Sequence, residues 1–121
     1  MTVALWAAVL AIGGAGSLLR FVIDGAISAR TEQAFPLGTL AVNVSGALVL
    51  GFLTGLTLSH EQALLAGTAA VGSYTTFSTW MLETQRLGEE RDIPTLWLNV
   101  MISLIGGLAA VELGRFIGGM L

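Results

Sequence analysis

Four long apolar stretches, separated by short polar connections, run along the chain. A helix needs about 20 apolar residues to cross a hydrocarbon core about 30 Å thick. Each stretch meets that requirement, and the predicted spans cover approximately residues 3–25, 37–58, 62–86 and 94–118. We therefore expect residues 1–121 to form a single all-α transmembrane domain of four helices.

The composition indicates lipid as the solvent. Charged residues make up 11% of the chain, against about 25% in an average soluble domain. So few charges cannot cover a globular surface, which predicts a multi-pass protein of the inner (plasma) membrane. The lack of cysteine and the single His60 argue against thiolate or clustered-histidine metal sites. A net charge of −3 without lysine argues against a nucleic-acid partner, and the short connections leave no room for a water-facing enzyme site.

The arginines give a weak signal about orientation. Arg30, Arg86 and Arg91 fall in the two longer connections, whereas Arg115 lies towards the opposite side of the membrane. The positive-inside rule places the longer connections in the cytoplasm. The difference is only a few arginines, so both orientations stay open.

The third span has a polar centre, which is unusual for a membrane helix. Glycine, hydroxyl and aromatic residues run from Gly72 to Trp80. Hydroxyl side chains compete with the helix for backbone hydrogen bonds, and irregular backbone at membrane depth needs protein or a watery cavity around it. We expect a break in the helix between Gly72 and Thr79, with a continuous Ser/Thr-rich helix as the alternative.

Two polar side chains in the first two spans each allow two interpretations. Arg20 lies near the end of the first span, where it either extends to the interface or forms part of a polar vestibule. Asn43 lies early in a span without charges, and an unpaired amide in hydrocarbon costs several kcal/mol. It either bonds a neighbouring helix or lines a pore.

Small residues recur at four-residue spacing and favour close helix packing, within one chain or between chains. The pairs are Gly51 and Gly55, Ser103 and Gly107, and Gly114 and Gly118. Asn99 and Ser103 add a short polar stripe to the fourth span, and Glu112 is expected to pair with Arg115.

Three motifs together resemble the CrcB/Fluc family of fluoride channels, over nearly the whole chain. They are Gly13-Gly14-x-Gly16-x-x-x-Arg20 in the first span, Gly38-Thr39-Leu40 with Asn43 in the second, and Thr75-Thr76-Phe77-Ser78-Thr79-Trp80 with Glu83 in the third. The resemblance implies a dual-topology dimer of two antiparallel chains, each with a broken third helix.

The resemblance also implies roles for individual residues. The fluoride pathway would include Asn43, Phe77, Ser78, Thr79, Trp80, Asn99 and Ser103. Arg20 would lie near a vestibule, and the backbone carbonyls of Gly72 and Thr75 would hold a structural Na⁺ at the dimer interface. The implied function is passive export of fluoride from the cytoplasm, which lowers its toxicity. Neutral donors suit this task because they replace the water of a strongly hydrated anion without trapping it.

The sequence departs from the family pattern at three positions. Trp80 stands in place of a second phenylalanine, Asn99 in place of a frequent pathway tyrosine, and Ser73 in place of a glycine. The departures leave open an obligate pair with a homologous second chain. Two further alternatives are a small dual-topology proton-coupled exporter and a non-transporting subunit of a larger complex.

Overall fold

The computed structural model describes residues 1–31 and 33–121, and its ordered elements are helical. Residue 32, within the connection predicted between the first two spans, lies outside the described residues. The elements in chain order are α1 (Val3–Ala29), α2 (Leu37–Gly55), α3 (His60–Ala63), a π-helical segment (Leu64–Val71), α4 (Gly72–Tyr74), α5 (Ser78–Glu89) and α6 (Ile93–Gly119).

All four predicted spans are helical, and the third is interrupted. Helices α1, α2 and α6 are long and apolar enough to cross a membrane, judged by length and composition. The third span is built in pieces, from α3 through the π-helical segment and α4 to α5. The π-helical segment was not foreseen from the sequence; such segments occur often at functional sites.

Side-chain caps fix where several helices begin. Thr2 accepts a hydrogen bond from the Leu5 N–H, 3.1 Å away, at the start of α1. Ser59 and Gln62 form a reciprocal capping box that opens α3. Asp92 accepts from the Thr95 N–H at 3.3 Å and opens α6. Each cap satisfies an N–H that the helix itself leaves without a partner.

Helices α2 and α6 pack most closely, along a seam of four glycines: Gly51, Gly55, Gly114 and Gly118. A Cβ on Gly51 would lie 2.1 Å from the Val111 carbonyl oxygen, and one on Gly114 would lie 2.2 Å from that of Leu48. Two of the predicted small-residue pairs therefore pack helices within one chain. The remaining pair is Ser103 and Gly107. A Cβ on Gly107 would meet no atom within 4 Å.

The glycines of the first motif bring α1 against the third span. A Cβ on Gly16 would lie 2.7 Å from the Ala70 carbonyl oxygen, and one on Gly13 would lie 3.1 Å from the Ser73 hydroxyl. Helix α1 thus rests on the π-helical segment and α4, just before the break. At the far end of the chain, Arg115 pairs with Glu112 at 2.8 Å, as predicted.

Candidate functional site

The third span breaks at Thr75, Thr76 and Phe77, a narrower interval than the sequence predicted. Gly72 remains helical, and Thr79 already belongs to α5. Thr75 leaves the helix with extended backbone angles (φ −81°, ψ 161°), while its hydroxyl donates to the Val71 carbonyl at 3.0 Å. The Thr75 hydroxyl thus bonds back to the segment that precedes the break.

Thr76 starts the helix again on the other side of the break. Its hydroxyl oxygen accepts a hydrogen bond from the Thr79 N–H at 3.2 Å, which is the bond that an N-capping threonine makes. The same hydroxyl lies 3.2 Å from the Thr79 hydroxyl and 3.4 Å from that of Ser78. The Thr76 hydroxyl therefore caps α5.

Asn43, on the neighbouring helix α2, hydrogen-bonds the backbone at the break. Its Nδ2 donates to the Thr76 carbonyl at 2.8 Å, and its Oδ1 accepts from the Thr76 N–H at 2.8 Å. The side-chain amide thus replaces the helical partners of one residue, which meets the requirement that broken backbone at membrane depth be satisfied by protein. An asparagine amide carries two N–H donors, so one donor is still available to another acceptor.

Two further contacts fix α4 beside the break. The Tyr74 and Ser45 hydroxyls lie 2.9 Å apart, which ties α4 to α2. The Ser17 hydroxyl donates to the Ser73 carbonyl at 3.5 Å, which ties α4 to α1. Gly46 makes room for the break, because its Cβ would lie 2.2 Å from the Thr75 methyl group.

The break diverts the usual donors of two carbonyl groups. In an α-helix each carbonyl accepts from the N–H four residues later. For Gly72 that donor is the Thr76 N–H, which bonds Asn43; for Thr75 it is the Thr79 N–H, which bonds the Thr76 hydroxyl. Both carbonyls predicted to hold a cation therefore have their usual helical donors bonded elsewhere.

An open cleft of about 310 Å³, here called the break cleft, runs beside the interruption. Its lining consists of Asn43, Gly46, Ala47, Leu50, Val71, Thr75, Thr76, Phe77 and Trp80. The Phe77 and Trp80 rings meet edge to face, with centroids 5.8 Å apart and planes at 80°. Three predicted pathway residues, Asn43, Phe77 and Trp80, thus line one cleft of neutral residues.

A second cleft of about 190 Å³, here called the arginine cleft, lies on the other side of Thr76. Its lining consists of Ser17, Arg20, Phe21, Asp24, Thr39, Val42, Thr76 and Thr79. Among the described residues, the buried Arg20 Nε and Thr39 hydroxyl have no hydrogen-bond partner. Arg20 therefore lines a cleft with other polar residues, and its role near a vestibule stays a prediction.

The other predicted site residues are dispersed. Ser78 is exposed on α5. Asn99 is buried, with 1% of its surface exposed, and its Nδ2 donates to the Thr84 hydroxyl at 3.0 Å. The clefts, as the described residues line them, include neither Asn99 nor Ser103. Their roles in a pathway remain predictions.

Sequence reasoning assigned no role to several residues that shape the site. Thr39, named only as part of the second motif, precedes Asn43 by one helical turn, so the spacing places both on one face of α2. Asp24 belongs to no motif, and only the fold shows that its carboxylate lies beside Gly38. A Cβ on Gly38 would lie 2.0 Å from it. Thr84 has no motif of its own, and only the fold reveals its link to Asn99.

Comparisons with known proteins point to a single family. The profile of the family described as "CrcB-like protein, Camphor Resistance (CrcB)" matches residues 7–115. The chain is 62% identical over 114 residues to "Fluoride-specific ion channel FluC 2" of Mycolicibacterium paratuberculosis, covering 94% of this chain and 93% of that one. It is 56% identical over 117 residues to the protein of the same name from Mycobacterium bovis, with 97% and 93% covered. A more distant relative, "Fluoride-specific ion channel FluC 2" of Bacillus cereus, is 35% identical over 115 residues, with 94% and 98% covered.

The fold and the site define a multi-pass helical membrane protein with an interrupted span. In bacteria, a protein of this class resides in the inner membrane. The family profile and the identities over nearly full length settle its membership: the chain belongs to the CrcB family.

Proposed function

We propose that this chain forms a fluoride-specific ion channel that exports fluoride passively, and that it is not an enzyme. The names of its relatives support the channel function. One structural observation carries it furthest: the third span breaks at Thr76, Asn43 holds the break, and Phe77 and Trp80 line the cleft beside it. Irregular backbone at membrane depth is tolerated where it is buried in protein or lines a watery cavity, and selectivity filters are built from polar groups at such positions; this chain has both at the break.

The pathway residues supply donors without charge. Fluoride must exchange its hydration shell for protein groups, and Asn43 retains one N–H after it bonds Thr76. The hydroxyls of Ser78 and Thr79 add donors beyond the break, and the Phe77 ring offers an electropositive edge. Neutral donors bind the anion weakly enough for it to leave. The arginine cleft, with Arg20 at its wall, is the proposed vestibule.

The functional unit is proposed to be an antiparallel dimer of two copies. Phe77 is 68% exposed in the single chain although it belongs to the proposed pathway, so the break cleft is open along one side. A second copy would cover that side and complete the pathway. The names of the relatives do not favour the two-chain, exporter or non-transporting alternatives.

A structural Na⁺ fits between the two copies. Carbonyl oxygens are suitable ligands for a hard cation, and the Gly72 and Thr75 carbonyls have lost their helical donors. Two such carbonyls from each chain would surround the ion, and its charge would offset the cost of leaving carbonyls unpaired.

Sodium removal tests the dimer and the cation site together. Light scattering of the purified protein in sodium should give a mass of two chains. Preparation with N-methyl-D-glucamine in place of sodium should abolish most fluoride flux, because the carbonyls then repel one another. A particle of one chain in sodium would contradict the dimer, and full flux without sodium would contradict the cation site.

The channel function is tested by fluoride efflux from liposomes that contain only this chain, with chloride efflux measured in parallel. We expect fast fluoride efflux and negligible chloride efflux. Phe77→Ile should slow fluoride efflux about tenfold, the effect of losing roughly one 1.4 kcal/mol interaction. Phe116→Ile is the matched control, since Phe116 is 67% exposed on α6, and it should not change efflux. Equal efflux from both variants would remove Phe77 from the pathway.

A further inference from the structure

Arg20 and Asp24 lie one helical turn apart on α1, and both line the arginine cleft. Opposite charges at this spacing are neighbours on a helix surface and can pair. Among the residues that the structure describes, however, no ion pair joins Arg20 to a carboxylate. The guanidinium is therefore not neutralised by direct contact, although an acidic side chain lies one turn away.

The Asp24 carboxylate is held instead beside the start of α2. It accepts a hydrogen bond from the Ser28 hydroxyl at 3.2 Å. It also lies against Gly38, because a Cβ on Gly38 would overlap the same carboxylate oxygen. Helix α2 begins at Leu37 without a side-chain cap. A carboxylate near such a helix start is stabilised by the positive end of the helix dipole.

Gly38 makes this position of the carboxylate possible because it has no side chain. A Cβ there would meet the Asp24 carboxylate oxygen first, then the Ser28 oxygen at 2.8 Å and the Asp24 carbonyl oxygen at 2.9 Å. The carboxylate is the part that can yield by rotation, whereas the carbonyl belongs to the backbone of α1. Helical side chains lean towards the preceding turn, which for Asp24 is the turn that carries Arg20.

We infer that Asp24 is a positioning residue of the proposed fluoride vestibule: Ser28 and Gly38 hold its carboxylate at the start of α2 and so keep it from neutralising Arg20. An unpaired cation in a low-dielectric cleft raises the local concentration of anions and their rate of entry. The inference rests on the proposed channel function and adds to it the reason why an acidic residue beside the vestibule does not cancel its positive charge. Asp24 itself does not touch the ion.

Gly38→Ala tests this arrangement, because the new methyl group would push the carboxylate towards Arg20. Fluoride efflux from liposomes should fall about tenfold, the low end of the gain that a charged cleft gives to an entry rate. Adding Asp24→Asn should restore most of the efflux, because an amide has nearly the shape of the carboxylate but no charge to neutralise Arg20. Gly25→Ala is the matched control on α1, where a Cβ meets no atom within 4 Å, and it should leave efflux unchanged.

Ionic strength gives a readout that a purely structural effect would not move. Between about 0.01 M and about 0.15 M salt, the screening length falls from about 30 Å to about 8 Å. When sodium isethionate supplies the salt, this change should lower fluoride efflux through the native protein several-fold. Efflux through Arg20→Gln and Gly38→Ala should hardly respond, and adding Asp24→Asn to Gly38→Ala should restore the response.

Ser28→Ala weakens the same arrangement without adding atoms, so it tests the inference even if Gly38→Ala does not fold. Ser28 is exposed on α1. Without its hydrogen bond the carboxylate should reach Arg20 for part of the time, which lowers efflux about threefold, the effect expected of one weak hydrogen bond. Asp24→Asn should reverse this loss as well.

The outcomes separate this inference from the function on which it rests. If efflux falls in Gly38→Ala and stays low after Asp24→Asn is added, the cause is crowding between α1 and α2, which overturns the inference and leaves the channel intact. Unchanged efflux and salt response in both Gly38→Ala and Ser28→Ala also overturn it. If the native chain moves no fluoride in a dimeric, folded preparation, the channel function itself fails and the inference falls with it.

Discussion

Replacing Asn43 with aspartate should reduce fluoride efflux at least about a hundredfold. The carboxylate introduced by this change cannot donate to the Thr76 carbonyl, and an unpaired buried carbonyl costs about 1–3 kcal/mol. The native bond between the Asn43 amide and that carbonyl is 2.8 Å long. An ionised carboxylate would also repel fluoride from the break cleft, so the structural and the electrostatic effects act in the same direction. Efflux from liposomes at equal protein density measures the loss.

Gln85→Glu is the control for this change, because it makes the same amide-to-carboxylate replacement on an exposed position of α5. It should retain nearly full efflux. The Asn43→Asp protein should still purify as a folded particle, since the α2–α6 seam does not depend on Asn43. Undiminished efflux in the Asn43→Asp protein would show that neither the Thr76 bond nor the charge of this side chain matters for permeation.

Gly114→Ala should destabilise the fold by about 3 kcal/mol, at the upper end of the usual cost of overpacking. The new methyl group would lie 2.2 Å from the Leu48 carbonyl oxygen and 2.6 Å from the Phe52 nitrogen. Both neighbours are backbone atoms, so the helices themselves must move apart. The free energy of unfolding in mixed detergent micelles, measured for mutant and native protein, gives the difference.

Gly107→Ala makes the same replacement on the same helix, where a Cβ meets no atom within 4 Å. It should be neutral or stabilise slightly, because alanine is the better helix former. The two variants therefore differ in the sign of their effect as well as its size. A similar loss of stability in both would indicate that the glycines of α6 matter for a reason other than the seam.

The sequence predicts the spans well because membrane insertion depends mainly on apolar length. Helices α1, α2 and α6 could be located from hydropathy alone, although α1 extends to Ala29, beyond the predicted residue 25. The sequence could not place the glycine seam. Four-residue spacing permits packing within or between chains, and only the tertiary arrangement shows that Gly51 and Gly114 bring α2 to α6.

The sequence could predict that the third span is broken, but it could not predict where the break begins and ends. Hydroxyl-rich sequence predicts competition for backbone hydrogen bonds, and the Thr76 hydroxyl does cap α5. The limits of the break depend on a long-range contact, because Asn43 takes the Thr76 backbone groups from a different helix. For the same reason the Asn99 contact with Thr84 could not be foreseen: a buried amide finds its partner only when α5 and α6 have packed.

The interrupted third span also has a consequence for how the chain enters the membrane. Helix α5 has 12 residues and is about 18 Å long, too short to cross the about 30 Å hydrocarbon core. The backbone of Thr76, just before α5, is satisfied by Asn43, which belongs to α2. During synthesis α2 emerges before the third span. Asn43 is therefore already in the bilayer when the broken segment arrives. The order of the helices along the chain thus lets the Thr76 backbone groups find their partner as soon as the third span is integrated.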